Sequence, residues 1–408
     1  MGMTLYVHRV LTPFERAQDL VHGVPGGYLG DMYQRWIGTR ELLLHGRDPY
    51  DTEVTREIQA AYYGRPLSPQ EHRDEQRFAY PIFVVFLLAP TIWIPFPLVQ
   101  SITTLVLALV TAASVPLWLR FLGWKLTPAQ ILTATILVLA SPPVIQGLRL
   151  QQLGLLVAFL LAASAALVIR GRLLWAGSVL ALATIKPQLA ALAIVWWLFW
   201  AAIRWNQRNR LILGFAATIL ILIGAGQIVL PGWIGRFYDG TIAYREYTGA
   251  RSMLQLFAGL KLGTFLNWLA LAGTALYCWR NREQPTHALS VALVATILAL
   301  PVRASALVNQ VLELPGIFLV LLSGHRDPLR LRRGILVTLV AAICWPWVSS
   351  IVLLFIEGPP KVPFFASFAV PLLLPTALLR ISADANPTEQ RLVQHEEKVP
   401  AEVPQFSK

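Results

Sequence analysis

From residue 98 to residue 380, apolar residues run almost without interruption, broken at intervals by short clusters of arginine, proline and glycine. Runs of this kind carry no polar face, as in helices that sit in a bilayer rather than on a soluble core. The pattern predicts about eleven spanning helices, near 98–119, 130–145, 152–169, 172–185, 188–203, 211–230, 261–279, 287–302, 306–322, 334–355 and 363–380. Several fall short of the roughly 20 residues that a crossing needs. The segment "YPIFVVFLLAPTIWIPFP" at 80–97 is apolar but short, and Pro81, Pro90, Pro95 and Pro97 interrupt it. It is expected to be a re-entrant or interfacial element. The fold class expected is therefore all-α and integral to the membrane.

Ahead of this greasy region lies a different pattern. In "GYLGDMYQRWIGTRELLLHGRDPYD" (27–51), Met32, Trp36, Leu43 and Leu44 fit one face of a helix lying at an interface. Gly46 stops the helix and Pro49 prevents its resumption. Asp31 stands at its head. With Gln34 three residues on, it has the spacing of a capping box, an ordinary helix start. A cap carboxylate can also face a cleft, so both roles stay open.

Composition agrees with the pattern. Charged residues make up 14% of the chain, against about 25% in an ordinary soluble domain, and the mean hydropathy is +0.57. The net charge of +12 reads as membrane topology, since no basic block is interleaved with aromatics as in a nucleic-acid binder. One alternating set of connections holds Arg120, Lys125, Arg170, Arg172, Arg204, Arg208, Arg210, Arg280, Arg282, Arg326, Arg330, Arg332, Arg333 and Arg380, 14 in all. The other holds Arg149, Lys186, Arg236, Arg245, Arg251, Lys261, Arg303 and Lys361, which is 8. The richer set is expected on the cytoplasmic side. Residues 1–97 then form an outer-face region, 98–380 the membrane domain, and 381–408 a disordered cytoplasmic tail. Counting 80–97 as a span would invert this order. Residues 1–30 have no signal-peptide layout, and an exported start of this kind implies a first helix missing upstream. Cys278 and Cys344 lie far apart in apolar runs and read as packing residues. Trp93, Trp233, Trp345 and Trp347 read as an aromatic belt at the interfaces.

The acids narrow the chemistry. Of 22 Asp and Glu, 11 fall in residues 1–80, and none occurs from Gln76 to Tyr238. Asp239 and Glu246 lie in a later outer connection, Glu313 inside an apolar helix, and Glu357 in another outer connection. A proton-abstracting carboxylate must come from this short set. Glu313, costly within a membrane, is either functional or a structural partner of Arg303, Asn309 or Gln310. Asp48 and Asp51 read first as turn residues around Pro49-Tyr50. Cations at outer helix ends, namely Lys186, Arg149, Arg251 and Arg303, either snorkel toward headgroups or bind an anion. His8, His22, His45 and His72 show no metal-ligand spacing. No Asp-x-Asp motif, P-loop or dinucleotide fingerprint occurs, so no metal or cofactor is expected.

Asp31 with Tyr33, then "LLLHGRDPYD" (42–51) and "FAYPIFVVFLLAP" (78–90), resembles the first outer loop of glycosyltransferase family 87. These are GT-C enzymes of the polyprenyl-phosphate-mannose-dependent α-mannosyltransferase type. "QGLRLQQLGLL" (146–156) is similar to a Gly-Gln-bearing turn of the family and "ATIKPQLAAL" (183–192) to its Lys-Pro segment. The connection 231–252 and "SMLQLFAG" (252–259) fall where the family has a comparable element. The chain departs from the family at Ile82, where a second proline is usual, and at "LPVRASALVNQVLELPG" (300–316), where a Ser-Pro and a His are usual.

The resemblance implies a GT-C-type polytopic bundle with outer-face interfacial helices, acting on the outer face of the cytoplasmic membrane. It implies inverting transfer of a hexose, mannose by family, from a polyprenyl-phosphate donor to a hydroxyl of a glycolipid or glycan. Asp31 would be the base, and Lys186, with Arg149, Arg251 and Arg303, would hold the donor phosphate. Tyr33, Tyr80, Gln152 and Glu313 would contact substrate. Two other readings compete: a transporter or lipid flippase, suggested by the proline-flanked Glu313, and a non-catalytic relative that assists envelope assembly.

Overall fold

A computed structural model gives the fold and describes residues 29–68, 71, 74–248, 251–299, 307–326, 337–345, 347–348 and 369–381. Arg303, Glu357, His8, His22, His72, the tail from 382 and parts of the two last expected spans lie outside the described residues. Those described form helices and connections, with no strand among them.

The N-terminal region contributes α1 (Met32–His45), α2 (Thr52–Tyr63) and the short α3 (Val84–Leu88), which runs into a 3-10 turn at Ala89–Thr91. Gly46 ends α1 as the sequence predicts: its left-handed φ of 66° lets its N–H reach the carbonyls of Glu41 and Leu42. The face of α1 differs from expectation. Met32 and Trp36 are buried, but so are Arg35, Thr39 and Glu41, while Leu43 is exposed. The helix is wedged among α2, α3 and the start of α4 rather than laid along a surface. Trp36 Nε1 donates to Thr91 O at 3.2 Å. Five helical residues and a proline-bearing turn cannot cross a bilayer, so 80–97 is not a spanning helix.

The apolar region follows as α4 (Phe96–Phe121), α5 (Pro128–Leu139), α6 (Pro142–Arg149), α7 (Gly154–Val168), α8 (Leu173–Leu182), α9 (Pro187–Ile203) and α10 (Trp205–Val229). Then come α11 (Trp233–Thr248), α12 (Met253–Ala258), α13 (Leu260–Arg280), α14 (Pro285–Ala299), a 3-10 stretch (Leu307–Glu313), α15 (Leu314–Arg326) and α16 (Ala369–Arg380). Among the described residues, α4 and α10 are long and apolar enough to cross a membrane. The pair α5–α6, bent by 60° at its break, makes a third if it is one span. The span expected at 261–279 is a single helix of 21 residues, α13, and the other described spans are shorter or broken helices, so helix length supports a helical membrane protein without yielding the count of eleven. The connection 231–252 is largely helical, as α11. The span expected at 306–322 opens with seven residues of 3-10 helix. Trp233 is buried against Phe83 and Phe237 rather than belonging to a surface belt.

Close helix contact comes from small residues. A Cβ at Gly177 on α8 would lie 2.0 Å from Leu211 O on α10, and one at Gly214 on α10 would lie 2.0 Å from Leu174 O. The two backbones touch where neither has a side chain. Lys186 and Arg204 flank the two ends of α9, 17 residues long and so roughly 25 Å apart. At the Arg204 end, Arg204 pairs with Glu283 at 2.8 Å, joining two of the arginine-rich connections. Arg208 stacks on Trp200 at 3.7 Å there. At the Lys186 end gather α1, the turn after α6, and α11, the last tied in by Arg236–Asp48 at 2.9 Å. Two of the arginine-rich connections thus meet at one end of α9, and Arg149, Lys186 and Arg236 of the other set gather toward its opposite end.

Candidate active site

Three distant segments meet at one amide. Gln152 Nε2 donates to Asp31 Oδ2, and Lys186 Nζ donates to Gln152 Oε1 at 2.7 Å. An ammonium can only donate and an ionised carboxylate can only accept, so its two neighbours fix which way the amide points. Gln152 thereby links the carboxylate just ahead of α1 to the cation at the head of α9.

Local sequence explains each position. After α6, Gln151 takes a left-handed φ of 48° and reverses the chain. Its side chain donates to Arg149 O at 2.7 Å, satisfying a carbonyl left open at the helix end. Leu150 O then accepts from the Asp31 N–H at 3.1 Å, docking the start of α1 onto this turn. Gly30 makes the approach possible: its φ is +59°, and a Cβ there would lie 2.3 Å from Gln151 Oε1. Asp31 makes no side-chain cap to its own helix, and Gln34 bonds Gln76 at 2.9 Å instead. The capping box that the spacing suggested is not formed, and the carboxylate faces the junction. Lys186 precedes Pro187, which bars it from the helical region; with φ −134° and ψ 76°, it leaves the axis and turns its side chain toward Gln152.

A second cation belongs to this junction. Arg35, one helical turn after Asp31, is fully buried. Its Nε donates to Asp31 O at 2.7 Å, and its guanidinium carbon sits 4.9 Å from the Tyr80 ring centre. Arg35 and Asp31 both act electrostatically on Lys186. Burial pushes the phenols of Tyr80, Tyr50 and Tyr33 above their ordinary range, so all three stay protonated at neutral pH. Tyr50 uses its proton to hold Tyr80 O at 2.6 Å. The carboxylate is then the group here suited to accept a proton, beside two cations suited to an anion.

A model of glycosyltransferase family 87 matches residues 78–302, more than half of the chain. The chain belongs to that family. No curated protein and no solved structure matches it. The protein is thus a membrane glycosyltransferase, moving a sugar from a donor to an acceptor. The match takes in Tyr80, Gln152, Lys186, α11 and α12. It begins after Asp31 and the whole of α1, which join the matched region through the contacts described above.

The other residues singled out in the sequence are scattered around this glycosyltransferase junction. Arg149 is half-buried at the end of α6, one residue before the carbonyl that docks Asp31. Tyr33 points to the other side of α1, into a ring cluster with Phe96 at 5.0 Å and Tyr62 at 5.8 Å. Arg251 is exposed beside the Ser252–Gln255 capping box. Glu313 is buried at the end of the 3-10 stretch, which packs on α6 and α7, and its Oε1 has no hydrogen-bond partner among the described residues. Asn309 from the same stretch reaches the start of α7: a Cβ at Gly154 would sit 3.2 Å from its Oδ1. The described part of the stretch that departs from the family pattern, from Leu307 on, therefore packs beside the start of α7, which follows Gln152. Asp48 turns the chain by accepting from Tyr50 N at 2.9 Å, as its sequence suggested. It also lines a cleft of about 560 Å³ with Arg47, Asp51, Glu53 and Arg236. Arg35 was missed by sequence reasoning. The available signal was its place four residues after Asp31, which puts both on one helix face.

Proposed function

We propose that this glycosyltransferase moves a hexose, mannose by family, from a polyprenyl-phosphate donor to a hydroxyl of a glycolipid or glycan. The reaction would occur with inversion at the outer face of the cytoplasmic membrane and without a metal. The observation that carries this reading is the Asp31–Gln152–Lys186 link, which brings a base and a phosphate-seeking cation to one junction from three segments. Asp31 takes the acceptor's proton as its oxygen attacks the sugar carbon. The bond from that carbon to the phosphate oxygen breaks, leaving the electron pair on the phosphate beside Lys186. Arg149, close to the junction, adds positive charge; Arg251 and Arg303 are assigned the same task from the sequence, as are Tyr80 and Glu313 the task of contacting substrate. In domain terms, 1–97 is assigned to the outer face and 98–380 to the membrane unit.

The test uses membranes containing the full chain and labelled polyprenyl-phosphate mannose, with transfer followed into lipid and polymer fractions. Asp31→Asn at equal membrane abundance is expected to lower transfer by about 10²–10⁴-fold, the usual contribution of a positioned base. Undiminished transfer in that variant would move the base to Asp48, Asp51 or Glu313. No transfer from this or any other lipid-linked sugar would favour the flippase reading.

A further inference from the structure

We infer that Arg35 is a phosphate-contacting residue of this site, its two terminal guanidinium nitrogens forming with Lys186 a two-cation clamp for a phosphate oxygen group. The argument begins with an unpaid electrostatic cost. The Arg35 side chain is 0% exposed, yet neither Nη1 nor Nη2 has a hydrogen-bond partner among the described residues. Buried guanidinium groups are ordinarily held by a carboxylate or by several carbonyls. Here the single bond, Nε to Asp31 O, is spent on orientation. It aligns the planar fork along α1, and the Tyr80 ring flanks the guanidinium. What remains is the pair of parallel donors that suits two oxygens of one phosphate.

The second observation is the neighbouring charge. Lys186 feels Arg35 as a like charge, an arrangement that a low-dielectric site tolerates poorly unless an anion lies between. Asp31 supplies one negative charge, and its Oδ2 already accepts from Gln152. Asp74 acts on Tyr80 together with Arg35 and Asp31, but the charges acting on Lys186 are Arg35 and Asp31. Arg208, also buried, by contrast reaches Glu283 at 4.0 Å and donates to Trp200 O at 3.1 Å.

This deepens the proposed function and rests on it for the identity of the ligand: the phosphate is that of the lipid carrier. When the sugar leaves, the carrier phosphate passes from one negative charge to two. A second cation then binds the departing phosphate more tightly than the intact donor, which is the direction that favours reaction.

The test measures binding rather than transfer. Full-length protein in lipid nanodiscs is titrated with a polyprenyl monophosphate, with the uncharged polyprenol, and with inorganic phosphate. Arg35→Gln is expected to weaken polyprenyl monophosphate binding by about ten- to a hundredfold, as loss of a charge-assisted pair does, while polyprenol binds both proteins alike. Arg35→Lys, which keeps the charge but not the fork, is expected to fall between, and it carries the test if Arg35→Gln does not fold. Binding of the monophosphate by either folded variant within twofold of wild type would overturn the clamp. Inorganic phosphate that competes only at millimolar levels assigns the site to a lipid-borne phosphate; micromolar competition would overturn the lipid source. A clamp that survives while no lipid-linked sugar is transferred would defeat the proposed reaction alone. Transfer that persists with unchanged phosphate binding in Arg35→Gln would defeat the clamp alone.

Discussion

Gln152 is a neutral amide set between an ammonium and a carboxylate, and its geometry serves both at once. It joins Asp31 to Lys186 through one amide and orients both. Gln152→Leu preserves approximate size and removes both bonds. Transfer is expected to fall by about ten- to a hundredfold, corresponding to one or two hydrogen bonds to charged groups, with membrane abundance near normal. Initial rates in membranes matched for protein check this, and an unchanged rate would remove Gln152 from the site. Gly30 is the other residue fitted to the junction, since its φ of +59° strains an L side chain and a Cβ there would push the Gln151 amide aside.

Among elements, α8 and α10 make the closest approach through the reciprocal contacts of Gly177 and Gly214 with backbone. In a membrane, helix association relies on such packing because apolar side chains gain little by leaving lipid for protein. Gly177→Val would force its branches into Leu211 O, an atom that cannot move without shifting α10. A loss of about 1–3 kcal/mol is expected from overpacking, read as a lower melting temperature in detergent, while Asp31→Asn melts like wild type. Equal melting of Gly177→Val would mean that the two helices do not meet there. The prolines act at this scale as well. Pro187 makes the break at Lys186 possible, and Pro90 and Pro95 leave 80–97 too short to span.

For the whole molecule, the two ends of α9 turn a count of arginines into a prediction about faces. The positive-inside rule predicts the Arg204–Glu283 end in the cytoplasm and the Asp31 end outside. Glu53→Cys and Arg172→Cys, both at exposed positions, are expected to report opposite sides when made in a chain lacking Cys278 and Cys344. A membrane-impermeant maleimide should label Glu53→Cys in intact cells and Arg172→Cys only after permeabilisation. The reverse pattern would place the site in the cytoplasm and exclude a donor presented on the outer leaflet.

Hydropathy, basic bias and composition determined by themselves that this is a helical membrane protein, and they made Asp31 and Lys186 stand out as a carboxylate heading a helix and a Lys-Pro break against an apolar background. Gln152, and the roles proposed for all three, came from the resemblance to the family. Helix lengths and breaks were less legible: hydropathy integrates over a window and passes across the bend after Leu139 and the 3-10 start at Leu307. Only the tertiary structure decided that Asp31 turns away from its own helix, that Gln152 joins it to Lys186, and that Arg35 is buried with its two terminal nitrogens unbonded among the described residues. The physical reason is that these contacts link residues up to 121 positions apart. Periodicity reports which face of an element is apolar, whereas the partner of a buried polar group is set by how the elements pack.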